Sequence, residues 1–431
     1  MLANRLTNII KSKLITDAGT YTVFSILQRL VPFIVLPIIS RSITKEDMGL
    51  YIVYQSIMEF FIPFISLNAD NAVLVNYYKV DKENHRIYFF NALLVLSTSL
   101  IFIFIVLLFF SQQISSVFEF PAKDLWAVLI IALFTIFSRL TQNLYQVERK
   151  PMRYGLYSIF QALLKGGSLL YFVVILKDGW PGIINSQVFS SFIIFFVSLI
   201  ILYSRKAIKN KISTDYIYDC FRVGWPLTLH QIGAWFASQS NRIIINVLIG
   251  SAATGSFGIG AIYGTVVSVI QNSFNMAFVP YLFENLNKIT ESGLHLKNKI
   301  IKLTYIYNGS LLIIALFIGI LGLILNNFIF GVGYDTSRQY IIWMVLGNAF
   351  NGMYKMHVNY IFYEKKTYYL LYITTLIGIL NILLTYIMVS IFGAIGGAIV
   401  YAFTEFIGYV LAWYFGNLLV PLPWFNFKFK S

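Results

Sequence analysis

Long apolar segments recur almost from one end of this chain to the other, and nothing else about it restricts the possible folds as strongly. Twelve stretches carry few charges, roughly 17–41, 48–76, 87–110, 124–147, 153–176, 182–203, 218–249, 254–284, 302–325, 339–363, 367–389 and 393–419. About 20 mostly apolar residues are enough for a helix to cross the hydrocarbon layer. Backbone N–H and C=O groups cannot stay unpaired in lipid, so each stretch is predicted to be a spanning helix. Together they occupy nearly all of the 431 residues, which leaves no room for a soluble catalytic domain. The chain is 58% hydrophobic and 12% charged, whereas an ordinary soluble domain is about 45–50% apolar and about 25% charged. An all-α integral membrane protein of about twelve spans is the class that fits. The lone cysteine, Cys220, excludes an internal disulfide and a cysteine metal cluster. No cleavable small-residue site follows a short apolar run near the start, so the first span is expected to be retained.

The net charge of +14 is unevenly placed. Basic residues gather at the N-terminus (Arg5, Lys11, Lys13) and then at every second connection. These are Lys79, Lys82 and Arg86; Arg149, Lys150 and Arg153; Arg205, Lys206, Lys209, Lys211 and Arg222. The series continues with Lys288, Lys297, Lys299 and Lys302, then Lys365 and Lys366, then the tail residues Lys428 and Lys430. That face holds 22 of the 32 Lys and Arg residues, and the other holds five: Arg41, Lys45, Lys123, Lys177 and Arg338. The positive-inside rule then predicts an even number of spans with both termini in the cytoplasm. The basic excess is accounted for by anionic headgroups beside the membrane, so no nucleic acid partner is expected.

The chain also repeats itself. Ile43, Gly49 and Tyr51 match Ile249, Gly255 and Phe257. Arg139, Asn143, Glu148, Arg149 and Lys150 match Lys355, Asn359, Glu364, Lys365 and Lys366. Gly179, Gly182, Phe189, Phe192 and Ile193 match Gly393, Gly396, Phe403, Phe406 and Ile407. The order is the same in both halves, which predicts two six-helix lobes, 1–213 and 214–431, with Arg205 to Lys211 as the cytoplasmic linker. Six spans return the chain to its starting side, so the lobes form a parallel repeat. Repeats of that kind are frequent in secondary transporters, with the substrate between lobes that rock. Duplication without transport, as in a scaffold, is the alternative.

Five basic residues fall inside the predicted spans: Arg29, Arg139, Lys165, Arg242 and Lys355. Glu59, Asp70 and Glu405 are the acidic residues set against them. A charge at the bilayer centre costs at least about 2.5–3.5 kcal/mol, so such groups usually face an interior cavity or a partner. Ion pairing, Arg29 with Glu59 for example, could account for some of the five but not for all, because cations outnumber carboxylates. A surplus of fixed positive charge in a wet cavity draws anions. Arg binds phosphate through its planar fork and Lys as a point charge, so an anionic, phosphate-bearing substrate is expected. Arg139 and Lys355 hold matching positions in the repeat and are expected to face one cavity from both sides.

Other features have plainer explanations. Pro32 and Pro37 in the first span, and Pro226 in the seventh, suit either gating or a static bend. Gly255, Gly258, Gly260 and Gly264 follow no strand and suit close helix packing better than dinucleotide binding. His230 and His357 have no second ligand at helical spacing and are expected to be hydrogen-bonded interior histidines. Trp126, Trp180 and Trp424 fall at span edges, as interfacial tryptophans do. There is no G-x-x-x-x-G-K-[ST] sequence, no D-x-D pair, no metal-ligand set and no cofactor motif. Neither an enzyme activity nor a cofactor is therefore expected.

The run from Leu36 to Tyr51 (LPIISRSITKEDMGLY), followed by Ile65 to Asp70 (ISLNAD) and the pair Tyr77 and Tyr78, resembles the start of bacterial polysaccharide-biosynthesis flippases. These are the O-antigen flippases of the Wzx type, in the superfamily that also holds multidrug extruders and the lipid II flippase. The resemblance implies a MATE-like fold and a multi-pass place in the bacterial inner membrane. It implies a cargo too: an undecaprenyl-diphosphate-linked oligosaccharide, an O-antigen or capsule-type repeat unit, moved from the cytoplasmic to the periplasmic leaflet. Arg29, Arg139, Lys165, Arg242 and Lys355 would bind the head group, and Glu59, Asp70 and Glu405 would be candidates for ion coupling. Membrane lipids, a polysaccharide polymerase and a chain-length regulator are the implied partners. A multidrug or small-solute exporter is the alternative within the superfamily, although a cation extruder would need a net acidic cavity. A membrane glycosyltransferase or polymerase would need catalytic carboxylates on sizeable loops.

Overall fold

A computed structural model of the chain describes residues 13–424 except 78, 288, 365 and 367. Arg5, Lys11, Tyr78, Lys288, Lys365, Lys428 and Lys430 therefore lie outside the described residues. The first part of the fold comprises α1 (Lys13–Ser40), α2 (Lys45–Ser66), a short α3 (Ala69–Asn76), α4 (Lys82–Phe118), α5 (Ala122–Val147), α6 (Pro151–Leu170, continued by a π turn Tyr171–Ile175) and α7 (Gly179–Ser204). The rest comprises α8 (Thr214–Ile249), α9 (Ser251–Asn287), α10 (Ile289–Phe330), α11 (Arg338–Tyr363), α12 (Tyr368–Phe392) and α13 (Ala394–Leu419). No strand occurs among the described residues.

Among the described residues there are twelve long helices, as the apolar segments predict, and ten are long and apolar enough to cross a membrane by themselves. The other two, α8 and α11, are long enough but more polar. Helix α8 carries Asp215, Asp219, Arg222, Gln231, Gln239 and Arg242, and α11 carries Asn348, Asn351, Lys355, His357 and Asn359. Three helices outrun the apolar windows that announce them: α4 and α9 have 37 residues each and α10 has 42. At 1.5 Å per residue these are about 55–63 Å long, against a hydrocarbon layer of about 30 Å. Hydropathy stops at the last apolar turn, whereas backbone hydrogen bonding runs on through the charged one.

Large apolar side chains stand exposed along these helices, among them Phe109 at 72%, Ile313 at 69% and Phe328 at 77%. So much exposed apolar surface suits lipid and not water. Contacts divide the chain into two compact units, Met1–Ile232 and Gly233–Ser431, with the division inside α8.

In the first unit α1 packs on α6, and small residues allow the approach. A side chain at Gly155 would strike the Phe24 ring, and a Cβ at Gly166 would lie 2.9 Å from Val31. Helix α2 opens with Thr44, whose hydroxyl accepts the Asp47 N–H at 3.1 Å, and Glu46 and Asp47 sit in its first turn. The threonine satisfies a backbone donor that would otherwise be unpaired, and acidic residues suit a helix N-terminus. Helix α2 ends where Leu67 (φ 44°) and Asn68 (φ 51°) both turn left-handed. Buried Asn68 holds that break together by accepting from Asn71 (2.8 Å) and Gln231 (2.8 Å) and donating to Thr228 (3.0 Å). Both stretches that carry the flippase resemblance thus have local structural work: one begins α2 and the other ends it.

In the second unit α11 is the central helix, packed against α9, α10, α12 and α13. Gly260 and Gly264 of α9 meet it closely, since a Cβ at 264 would lie 2.7 Å from the Met344 carbonyl oxygen and would also press on Asn348. The glycine-rich stretch therefore packs helices, as expected. Some positions matched between the two halves have similar local surroundings. Gly179 (φ 56°) and Gly393 (φ 72°) are both left-handed at the start of the sixth long helix of their half. Three residues on, a Cβ at Gly182 would crowd the Phe172 carbonyl, and one at Gly396 the Met388 carbonyl. Phe189 and Phe403, a matched pair, are 48% and 50% exposed.

Replacing Gly264 by Val should therefore cost about 1–3 kcal/mol, as overpacking of a close contact does. Gly309→Ala, where nothing lies within 4 Å, should leave the melting temperature of the detergent-solubilised protein unchanged or slightly raised, since alanine favours a helix interior.

Candidate functional site

The first unit encloses a cavity of about 320 Å³ walled by α1, α2, α5, α6 and α7. Two of the expected site residues line it, Lys165 from α6 and Glu59 from α2. Lys165 is half-buried and Glu59 exposed. Most of the remaining polar lining is amide: Gln28, Gln55, Gln161 and Gln187, with Thr135 beside them. Tyr51 and Tyr54 complete one wall, their rings stacked at 6.3 Å and 16°.

Arg139, on α5, is half-buried and within Coulombic reach of both Lys165 and Asp70. Neither Arg139 nor Lys165 makes a salt bridge among the described residues. Two cations thus share a neighbourhood with the carboxylates of Asp70 and Glu59 and form a salt bridge with neither. Asp70 lies in the first turn of α3 and is 4% exposed, and its Oδ1 has no hydrogen-bond partner. Its backbone carbonyl accepts from Asn143 at 3.0 Å, which ties α3 to α5. Arg29 stands exposed on α1, with Tyr154 as an electrostatic neighbour.

The second unit holds the other three site residues. Glu405 is 8% exposed, accepts from the Asn351 amide at 2.9 Å and has Lys355 within Coulombic reach. Lys355 donates to Asn272 Oδ1 at 2.7 Å. Arg242 donates to Gln239, one turn earlier on α8. Here charges are held largely by neutral amides, which satisfy hydrogen bonds without cancelling charge.

One expectation fails. His357 is buried, but both of its ring nitrogens are without hydrogen-bond partners. It packs among the rings of Tyr360 (6.1 Å), Tyr409 (5.6 Å) and Trp424 (5.2 Å). Trp424 covers it but spends its own polar groups elsewhere: the indole donates to Asn417 and the carbonyl accepts from Tyr305. The ring is therefore an apolar packing piece. His230 stands exposed on α8 and is not an interior group either. Among the described residues no group of three or more His, Cys, Asp and Glu side chains could hold a metal ion.

A family model for polysaccharide biosynthesis proteins matches residues 14–286. The chain belongs to that family. Among its relatives is an uncharacterized membrane protein of Haemophilus influenzae, 25% identical over 368 residues, which cover 82% of this chain and 85% of the relative. The fold is similar to that of the lipid II flippase MurJ in an inward closed conformation. That likeness has a TM-score of 0.71 at 14% identity and covers 91% of this chain and 86% of MurJ. An inward-facing multidrug resistance MATE family transporter aligns with a TM-score of 0.60 at 16% identity, covering 91% of this chain and 93% of the transporter. The all-α MurJ/MATE-like architecture expected from the spans and the resemblance is therefore present.

Sequence reasoning found the charges and missed the amides that surround them. Asn351, Asn272 and the four cavity glutamines are uncharged, so a search of the spans for ionic groups passes over them. Their signal was the presence of amide side chains inside segments otherwise made of Ile, Leu and Phe.

Removing the buried donor to Glu405 should be costly, because a carboxylate would be left short of a partner. Asn351→Leu is expected to destabilise the protein by about 1–3 kcal/mol. Glu405→Gln in the same chain should recover part of that loss. A double-mutant cycle of thermal unfolding measures the coupling, and simple additivity would show that the two side chains do not depend on each other.

Proposed function

We propose that this protein is a flippase for a lipid-linked oligosaccharide, and that it carries an undecaprenyl-diphosphate-linked repeat unit of O-antigen or capsule type from the cytoplasmic to the periplasmic leaflet of the inner membrane. Family membership and the MurJ/MATE-like fold support transport in polysaccharide synthesis. The observation that carries the choice of cargo is the placing of Arg139 and Lys165. Two like charges lie in one neighbourhood, with Asp70 and Glu59 near them but, among the described residues, no salt bridge to either cation, so both remain available to an anion. A diphosphate supplies one, and its several acceptor oxygens match a guanidinium and an ammonium together.

The proposed head-group ligands are Arg29, Arg139, Lys165, Arg242 and Lys355, drawn from both lobes, 1–213 and 214–431. The prenyl tail stays in lipid while the polar head crosses between the lobes by alternating access. Glu59, Asp70 and Glu405 are the candidates for carrying a coupling ion. Both termini lie in the cytoplasm, where the basic connections meet anionic lipid. A polymerase and a chain-length regulator act on the delivered unit. The protein itself performs no covalent chemistry.

Neutralising Arg139 together with Lys355, as Arg139→Gln and Lys355→Gln, should abolish surface polymer while the protein remains inserted in the membrane. A deletion strain should trap lipid-linked oligosaccharide on the cytoplasmic leaflet. Normal polymer on the surface of the double variant would count against the anionic cargo, and an untrapped carrier in the deletion strain would count against the flippase.

A further inference from the structure

The amide lining of the cavity in the first unit is more than the anionic-cargo proposal requires. Phosphate would be served by cations and backbone donors, yet Gln28, Gln55, Gln161 and Gln187 converge here from four different helices. Amides are expensive to bury in an apolar bundle unless their hydrogen bonds are made. Gln161 is 7% exposed and lies beside Tyr157, with its Nε2 sealed from the cavity. Gln187 is 8% exposed and lines the same space. Convergent polar side chains on the wall of a cavity are what a ligand site uses to fix orientation.

Resting on the flippase proposal, we propose that this cavity is a pyranose subsite, in which one sugar ring of the oligosaccharide is bound inside the first unit, beside the diphosphate. An amide carries a donor and an acceptor side by side, which suits sugar hydroxyls that both give and take a proton. The stacked Tyr51 and Tyr54 provide an aromatic wall for the apolar C–H edge of a ring. Lys165 and Glu59 at the same cavity give the subsite one charge of each sign, so acidic and amino-substituted rings both find a counterpart. A volume of about 320 Å³ is at the small end of ligand pockets, and it fits one ring and not a chain of them.

The test uses the purified full chain in detergent. Free N-acetylglucosamine and glucuronate serve as neutral and acidic pyranose probes, inorganic pyrophosphate serves as the phosphate probe, and saturation-transfer NMR reports binding. Gln187→Met removes one lining amide while keeping the side-chain length. It should leave the melting temperature unchanged or raised and weaken the pyranose affinity about 2- to 10-fold, the value of one neutral hydrogen bond. Gln28→Met with Gln187→Met should weaken it further, with pyrophosphate binding unaffected. Equal pyranose binding in wild type and variants overturns the subsite. So does a fall in melting temperature for Gln187→Met, because the amide would then be a structural bond. No pyranose signal from the wild-type chain also overturns it; a pyrophosphate signal in that case leaves the flippase proposal standing, and its absence removes both.

Discussion

Inside a bilayer a polar group has no water to fall back on, and every feature of interest in this protein follows from that constraint. Backbone amides meet it by forming helices, which is why long helices account for nearly all of the described chain. Side chains meet it in two ways. Glu405 and Lys355 each take a neutral amide partner, Asn351 and Asn272. Arg139 and Lys165 are left without a salt bridge among the described residues, close enough to feel one another. An amide partner quenches the hydrogen-bonding demand of a charge and leaves its field intact, so the interior can stay stable and still attract an ion of opposite sign.

The same constraint explains why small residues and left-handed turns are concentrated where they are. Helices can be locked together in lipid only by close contact, because burying apolar surface gains little when the surroundings are already apolar. Gly155 and Gly166 bring α6 onto α1, and Gly260 and Gly264 bring α9 onto α11. Gly179 and Gly393 both stand at the start of a helix with positive φ, where glycine is favoured. The break at Leu67 and Asn68 is different. Two non-glycine residues in the left-handed region are held there by Asn71, Thr228 and Gln231, and the strain persists because its surroundings overdetermine it.

How legible each part was depends on how the information is written. Hydropathy marked twelve segments because lipid exposure leaves a continuous apolar record, and twelve long helices followed. It misjudged the lengths of α4, α9 and α10, whose ends continue as helix in polar surroundings. Charged residues within spans stood out as anomalies, so all eight candidates could be named, but a sequence does not say which neighbours an anomaly keeps. His357 shows the limit. An interior histidine was expected to be hydrogen-bonded, and the ring is instead enclosed by Tyr360, Tyr409 and Trp424. Those partners come from positions up to 67 residues away along the chain.

The chain by itself determined its solvent, its secondary structure and the order of its helices, because each of these is set by the spacing of residue types along one dimension. Only tertiary packing decided that Lys165 and Glu59 line one cavity, that four glutamines from separate helices meet there, and that Asn351 and Asn272 are the groups beside Glu405 and Lys355. Those pairings depend on which faces of distant helices turn toward each other. Two amides on different helices share no pattern in sequence until packing brings them within a hydrogen bond's length.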